Sequence, residues 1–198
     1  MSTFARLVEE IHRCTICRDH LPLGPNPVFQ ALPAARILVV GQAPGTAVHK
    51  TGIPFNDPSG ERLRDWLGVD RDSFYNPQLF AIVPMGFCYP GRGKGGDLPP
   101  RAECAAAWRE RLLAHLTNIE LTVAVGRYAI DWHINPPRKA TLGTVVADWR
   151  KHWPVLVPLP HPSPRNTLWL RNNPWVEAEI VPKLRSRIRA LLSNASQT

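Results

Sequence analysis

Four short apolar runs, rich in β-branched residues, recur along the chain and predict buried β-strands. They are Arg36–Val40, Leu79–Val83, Leu121–Val125 and Val155–Leu159. A continuous apolar run bounded by turn residues is typical of a strand that is covered on both faces, as in a parallel sheet. The first run ends at Gly41 and the third at Gly126, where glycine marks the change from strand to turn.

Apolar residues at helical spacing fill the intervals between these runs. Helices are predicted over 4–13, 59–67, 101–116 and 176–192, the last interrupted early by Pro182. Strands that alternate with helices predict a three-layer α/β/α fold around a four-stranded, mostly parallel sheet. At 198 residues the chain has the length of one typical domain, so we expect a single domain over 1–198.

Three segments that follow predicted strands carry the residues of chemical interest. Gln42–Gly45 follows the first strand, Pro84–Cys88 the second and Pro160–Asn166 the fourth. Ligands bind outside the carboxyl ends of the strands in parallel α/β sheets, so a site is predicted where these segments meet. The Gly-rich segment Tyr89–Asp97 is predicted to be a loop.

The charge of the chain narrows the choice of partner. Its formal net charge is +8 and its sequence pI is near 9.9, which favours a polyanion. Nucleic acid is the first candidate, and a basic soluble protein without such a partner is the alternative. Arg92, Lys94 and Arg165 stand in loops near the expected site, where long cations can contact phosphates. The cations of the last helix, such as Arg185, are expected to form a solvated face.

The sequence also indicates where the protein resides. No apolar stretch approaches the ~20 residues that a membrane-spanning helix needs. The segment Met1–Arg6 lacks a basic stretch followed by an apolar core, so it does not resemble a secretory signal. A cytoplasmic protein with no membrane partner is expected, and a monomer is taken as its simplest state.

Four cysteines, Cys14, Cys17, Cys88 and Cys104, could bind a metal centre. The first two form a C-x2-C pair, and 15 residues separate the other two. Disulfides are disfavoured in a cytosolic protein. A zinc ion and a [4Fe–4S] cluster each take four thiolate ligands, and spacing alone leaves both open, together with coincidence.

Two residues near strand ends can carry acid, base or hydrogen-bonding chemistry. His161 follows the fourth strand and can donate a hydrogen bond to developing negative charge. Pro162, Ser163 and Pro164 stiffen its loop into a wedge of the kind that extrudes bases from a duplex, and a surface turn is the alternative. Asp57 precedes a helix, either as its N-cap or as a carboxylate that orients water beside a cationic sugar.

Taken together, these motifs resemble the uracil-DNA glycosylase superfamily. They are, in chain order, the Cys14/Cys17 pair, Gly41–Gly45, Gly52–Phe55, the Cys88/Cys104 pair and His161–Pro164. They are most similar to the iron–sulfur branch, family 4, which pairs a G-E-x-P-G turn with G-x-P-F and ends in a His-Pro motif. The resemblance runs from about residue 12 to 168 and favours a [4Fe–4S] cluster over zinc.

The resemblance implies a four-stranded parallel sheet and the activity of a monofunctional DNA glycosylase. Such an enzyme hydrolyses the N-glycosidic bond of a flipped uracil or related deaminated base in DNA, leaving an abasic site for base excision repair. Phe55 matches the aromatic side chain that stacks on the base, and His161 matches the histidine that stabilises the departing base anion. Ala43 and Asn56 are expected to contact the base.

Two positions depart from the family 4 pattern. Gln42 stands where that branch has glutamate, so catalysis is assigned to Asp57 and His161, with Gln42 able to position water. The aspartate lies in a segment that resembles, one residue shorter, a family 5 element whose aspartate is catalytic. Pro84 stands where the branch has an asparagine that reads uracil, which leaves Asn56 or main-chain groups as substitutes and the preferred base open.

Two other classes of function stay open from the sequence. A lesion-binding protein of the same fold with weak catalysis is favoured by Gln42 and Pro84. A metal-stabilised nucleic-acid-binding module would account for the charge of +8 but leaves the His161 loop unexplained.

Overall fold

A parallel sheet lies at the centre of the computed structural model, which describes residues 2–195. The strands are β1 (Ile37–Val40), β2 (Phe80–Ile82), β3 (Arg92–Gly93), β4 (Gly96–Asp97), β5 (Leu121–Val125) and β6 (Leu156–Leu159). The central sheet has the order β2-β1-β5-β6 with every pairing parallel, and β3 and β4 form a separate antiparallel hairpin. The predicted four-stranded sheet is confirmed. The hairpin lies in the segment predicted to be a loop.

Helices connect the strands and cover the sheet. They are α1 (Thr3–His12), α2 (Thr46–Thr51), α3 (Pro58–Leu67), α4 (Arg71–Phe74), α5 (102–113), α6 (Arg127–Ile134), α7 (Leu142–Ala147), α8 (Thr167–Asn172) and α9 (176–195). The long helices predicted from the sequence are all present. The short ones, α2, α4, α6, α7 and α8, were not predicted, because a helix of four to eight residues contains too few turns to show a period.

Two of the long helices contain a π-helical turn. In α5 it covers Ala105–Arg109, and in α9 it covers Val176–Ile180 and ends two residues before Pro182. The predicted interruption at Pro182 therefore takes the form of a wider turn, which accommodates a residue that has no N–H, and the helix continues to 195. Helix α5 ends three residues before the predicted Leu116.

The core lies between the sheet and its helices. The central strands β1 and β5 are buried along almost their whole length, as expected for a sheet covered on both faces. Helix α3 packs against α9, and α1 packs against the end of α5. Within residues 2–195 no helix combines the length and apolar character required to cross a bilayer.

Candidate active site

A cavity of about 420 Å³ opens at the carboxyl ends of β1, β2 and β6. It brings together Gln42, Ala43, Phe55, Asp57 and His161, which the sequence assigned to catalysis and base contact. Its remaining walls are mostly apolar and include Val28, Val48, Ile82 and Pro84. A cavity that combines apolar side chains with a few convergent polar groups is typical of a small-molecule site.

Phe55 occupies the cavity in a conformation that two neighbouring glycines permit. Its φ angle is 53°, in the left-handed region that few non-glycine residues adopt. A Cβ on Gly41 would lie 2.9 Å from Phe55 Cζ, and a Cβ on Gly60 would lie 1.7 Å from the Phe55 carbonyl oxygen. Gly41, from the first motif, and Gly60, in α3, are therefore both required by the position of this one aromatic residue.

Arg64 of α3 and Tyr75, which directly follows α4, hold the two peptide groups on either side of the Phe55 Cα. The Tyr75 hydroxyl donates to the Pro54 carbonyl at 2.9 Å. Arg64 Nη1 donates at 3.3 Å both to the Phe55 carbonyl and to the Tyr75 hydroxyl oxygen. Arg64 is only 9% exposed, so its charge is largely removed from water and directed at this turn. Strain at an active site persists only where such contacts fix it.

Asp57 serves as a helix cap and also lines the cavity. Its backbone is extended at the N-cap of α3, and its Oδ1 accepts a hydrogen bond of 2.8 Å from the Gly60 N–H. This bond uses one carboxylate oxygen. The same residue lines the cavity beside His161. The N-cap is therefore confirmed, and the catalytic role of the same side chain stays a prediction.

His161 is held as a neutral hydrogen-bond donor. The Ser163 N–H donates to His161 Nδ1 at 3.2 Å, so Nδ1 carries no proton and Nε2 carries the only ring proton. Burial lowers the pKa of His161, while the charges of Asp57 and Asp97 oppose this shift. A neutral imidazole can stabilise an anion by donating a hydrogen bond from its Nε2–H.

Gln42 connects the loop after β1 to the hairpin. Its Nε2 donates to the Leu98 carbonyl at 2.9 Å, and its main-chain carbonyl accepts from the Gly86 N–H at 2.9 Å. An amide side chain carries no charge and cannot accept a proton from water. Gln42 therefore shapes the cavity and can orient a polar group within it.

The four cysteines surround a second cavity, of about 400 Å³, next to the first. Cys14 and Cys17 come from the turn after α1, Cys88 from the segment after β2 and Cys104 from α5. In the described residues, no three His, Cys, Asp or Glu side chains are arranged to hold a metal ion directly. All four cysteines nevertheless line this one cavity.

Two N–H groups point at the sulfur atoms of this cavity. The Phe87 N–H donates to Cys104 Sγ at 3.3 Å, and Trp108 Nε1 donates to Cys14 Sγ at 3.2 Å. Burial raises the pKa of Cys88 to about 11 and that of Cys104 to about 12. When no positive centre is near, burial keeps these thiols protonated. The two N–H donors have the opposite effect, because they stabilise the thiolate form that a metal centre requires.

Comparison with known proteins now assigns the chain to a family. The profile of the Uracil DNA glycosylase superfamily matches residues 29–185. The chain belongs to this superfamily. It is also similar to the type-4 uracil-DNA glycosylase of Thermotoga maritima, with 29% identity over 163 residues that cover 78% of this chain and 79% of the relative. The resemblance to family 4 is confirmed, and both matches support a DNA glycosylase.

The residues predicted to contact DNA lie in the loop after β6 and on the β3–β4 hairpin. Arg165, exposed in the loop after β6, donates from Nη1 to the Gly95 carbonyl at 3.3 Å. Arg92 and Lys94 are exposed on the hairpin that Arg165 contacts. The wedge residues Pro162, Ser163 and Pro164 follow His161 directly, with Pro162 buried and Pro164 exposed.

Of the residues assigned to catalysis or base contact, Asn56 is the one that does not line the cavity. Its Oδ1 accepts a hydrogen bond of 2.9 Å from Arg71 Nη2. The sequence placed it beside Phe55, but the unusual turn at Phe55 directs the two neighbouring side chains to different partners.

Several supporting residues were missed by the sequence analysis. Arg62 donates to the carbonyls of Pro162 and Ser163, each at 3.4 Å, and so holds the His161 loop against α3. Arg64 falls on the apolar stripe of α3, and a charged residue on such a stripe is a signal that could have identified it. Tyr75 gives no comparable signal, because only the fold brings it to the Phe55 turn.

Arg109 is a further buried cation, beneath the end of β2. Its Nη1 donates to the carbonyls of Val83 and Pro84, both at 2.8 Å, and its Nη2 donates to His133 Nε2 at 3.2 Å. Pro84 lines the first cavity, and Cys88 lines the cavity that contains the cysteines. Arg109 therefore fixes the start of the segment from Pro84 to Cys88, which contributes to both cavities.

Proposed function

We propose that this protein is a monofunctional DNA glycosylase that hydrolyses the N-glycosidic bond of uracil or a related deaminated base in DNA. The observation that carries the proposal is the presence of Phe55, Asp57 and neutral His161 in one cavity. Cleavage of this bond puts negative charge on the base and positive charge on the sugar. A fixed donor and a carboxylate are the groups that such a charge separation requires.

Each of these residues has a defined part in the reaction. Phe55 stacks on the extruded base, whose removal from the duplex costs a few kcal/mol. Asp57 has one carboxylate oxygen left over from its cap, and this oxygen orients water and accepts its proton. The water oxygen bonds to the anomeric carbon while the glycosidic electron pair leaves with the base. His161 Nε2–H donates to the resulting base anion and keeps its proton.

The apolar walls of the cavity set its selectivity. Pro84 offers no side-chain hydrogen bond, and the Asn56 amide is directed to Arg71. The Ala43 main-chain N–H makes no hydrogen bond to another described backbone group, so it is available to the base edge. We propose that the base is selected by shape, by His161 and by the main chain at Ala43.

We propose further that the four cysteines hold one [4Fe–4S] cluster. The four thiols around one cavity, with N–H groups directed at two of them, support this assignment. The cluster would supply a structural cross-link between the N-terminal segment and the segment from Cys88 to Cys104. Iron analysis of protein purified without oxygen should give about four atoms per chain. A value well below four, or one zinc ion, would contradict the assignment.

The decisive experiment measures release of free base from oligonucleotides that contain uracil, hypoxanthine or xanthine. Base release followed by strand cleavage only after alkali is expected, and the same duplex without a damaged base serves as the substrate control. Tight binding of the damaged duplex with no base release would instead show a lesion-binding protein, the alternative that Gln42 favours. DNA is the proposed partner and the cytoplasm the proposed compartment.

A further inference from the structure

The hairpin β3–β4 contacts loops on two sides of the base cavity. Gln42, in the loop after β1, donates to the Leu98 carbonyl at 2.9 Å. Arg165, in the loop after β6, donates to the Gly95 carbonyl at 3.3 Å. Gln42 lines the cavity and Arg165 lies four residues after His161, so the hairpin bridges the mouth between the two loops that carry the candidate chemistry.

Asp97 is the acidic residue of this bridge. Its Oδ2 lies 3.4 Å from the position that a Cβ on Gly45 would take, so the carboxylate packs against the backbone of a residue that lines the cavity. Its cross-strand neighbour is Arg92. The side chain of Asp97 is exposed, and among the described residues it forms no ion pair with Arg92 or with any other cation.

The charge of Asp97 reaches the catalytic histidine. After burial, which lowers the pKa of His161, the two opposing influences are the charges of Asp57 and then Asp97. One carboxylate acts from the start of α3 and the other from the hairpin. Two negative charges from separate elements therefore act on the same imidazole.

The position of Asp97 is unfavourable for simple DNA binding. The chain carries +8, and Arg92 and Lys94 on the same hairpin are suited to phosphate contact. An unpaired carboxylate on the opposite strand of this hairpin repels phosphates. The same charge is favourable toward a sugar that becomes cationic as its bond to the base breaks. Such a group is more useful in the transition state than in the ground state.

We propose that Asp97 is a second catalytic carboxylate, which faces the deoxyribose of the extruded nucleotide and stabilises the positive charge that develops there. This role rests on the proposed glycosylase function. Water adds to the anomeric carbon and gives its proton to Asp57, while the bond pair leaves with the base. Asp97 gains and loses no proton, and acts only through its charge.

The test compares Asp97→Asn with wild-type protein by single-turnover release of uracil, with enzyme in excess over DNA. The rate constant should fall about 10- to 100-fold, because an amide cannot offset the cationic sugar. DNA affinity should stay equal or rise, because repulsion of the phosphates is removed. Asp97→Glu should recover part of the rate. Asp72→Asn, an exposed carboxylate on α4, is the matched control and should change neither quantity.

The location of the charge is tested independently of activity. The pKa of His161, followed by NMR, should fall in Asp97→Asn and stay constant in Asp72→Asn. An unchanged rate or an unchanged His161 pKa in Asp97→Asn would overturn the proposal. So would equal losses of rate, DNA affinity and thermal stability, which would show that Asp97 only supports the hairpin. Absence of base release by wild-type protein would instead overturn the proposed function, and this role with it.

Discussion

Asp57 caps α3, and a single substitution can separate this structural task from the chemical task proposed for it. Asparagine caps helices about as well as aspartate, so Asp57→Asn should change the free energy of unfolding by less than about 0.5 kcal/mol. It cannot accept a proton from water, and the rate of base release should fall about 10²- to 10⁴-fold. Gln42→Ala loses only the bond to Leu98 and should reduce the rate far less.

Single-turnover rates, DNA affinity and thermal melting of both variants check this assignment. DNA that contains the damaged base should still bind to Asp57→Asn. If Asp57→Asn kept near-normal turnover while Gln42→Ala abolished it, catalysis would belong to the loop after β1 and Asp57 would be a helix cap alone.

The lowered pKa of His133 predicts that the folded protein loses stability in mild acid. Burial and the neighbouring charge of Arg109 lower its pKa from 6.5 to about 4. The unfolded histidine therefore binds a proton between pH 6.5 and 4 that the folded one does not, so stability falls as the pH falls through this range. The loss amounts to at most about 3 kcal/mol.

The matched variant for this prediction is His133→Gln, which keeps an acceptor for Arg109 but does not titrate. Urea unfolding at pH 7 and pH 4.5 should show that wild-type protein loses more stability than the variant. Equal losses in the two proteins would show that His133 does not control the acid response.

At the scale of elements, α3 and the end of α4 hold the turn at Phe55 in place. The carbonyls of Pro54 and Phe55 each accept a hydrogen bond from this side, from Tyr75 and Arg64 respectively. Tyr75→Phe removes the hydroxyl without changing the shape of the ring. It should lower the free energy of unfolding by about 1–2 kcal/mol, because a buried hydrogen bond is lost and the Pro54 carbonyl is left unpaired.

The same variant should release base about tenfold more slowly, since a stacking group displaced by a fraction of an ångström no longer aligns the base. Tyr128→Phe, at a tyrosine that is 37% exposed on α6, is the control. A Tyr75→Phe protein with reduced stability but an unaltered rate would show that the clamp is structural and does not position Phe55.

At the scale of the whole molecule, the charge of +8 should act through one face. Arg165 stands at the mouth of the cavity, whereas Arg185 of α9 is paired with Asp65 at 3.1 Å. Arg165→Ala should weaken DNA binding and reduce the slope of log affinity against log salt by about one. Arg185→Ala should leave both unchanged. Equal effects of the two variants would contradict a single docking face.

The sequence by itself determined that four buried strands form a mostly parallel sheet, and it identified the segments that form the site. Buried strands need continuous apolar runs, and a glycine at a strand end marks a turn, so Ile37–Val40 and Gly41 were recognisable locally. The residues now found in the base cavity were also identifiable, because their motifs are short and contiguous. Asp57 could be assigned both as a cap and as a carboxylate from its position before a helix.

Only the tertiary structure decided which distant side chains support that site. Arg64 and Tyr75 meet at Phe55, and Asp97 lies against Gly45, through packing of elements that are far apart in the chain. The direction of the Asn56 side chain likewise follows from the left-handed turn at Phe55, which two separate glycines make possible. Hydrophobic periodicity reports which face of an element is buried, but it carries no information about which buried faces meet.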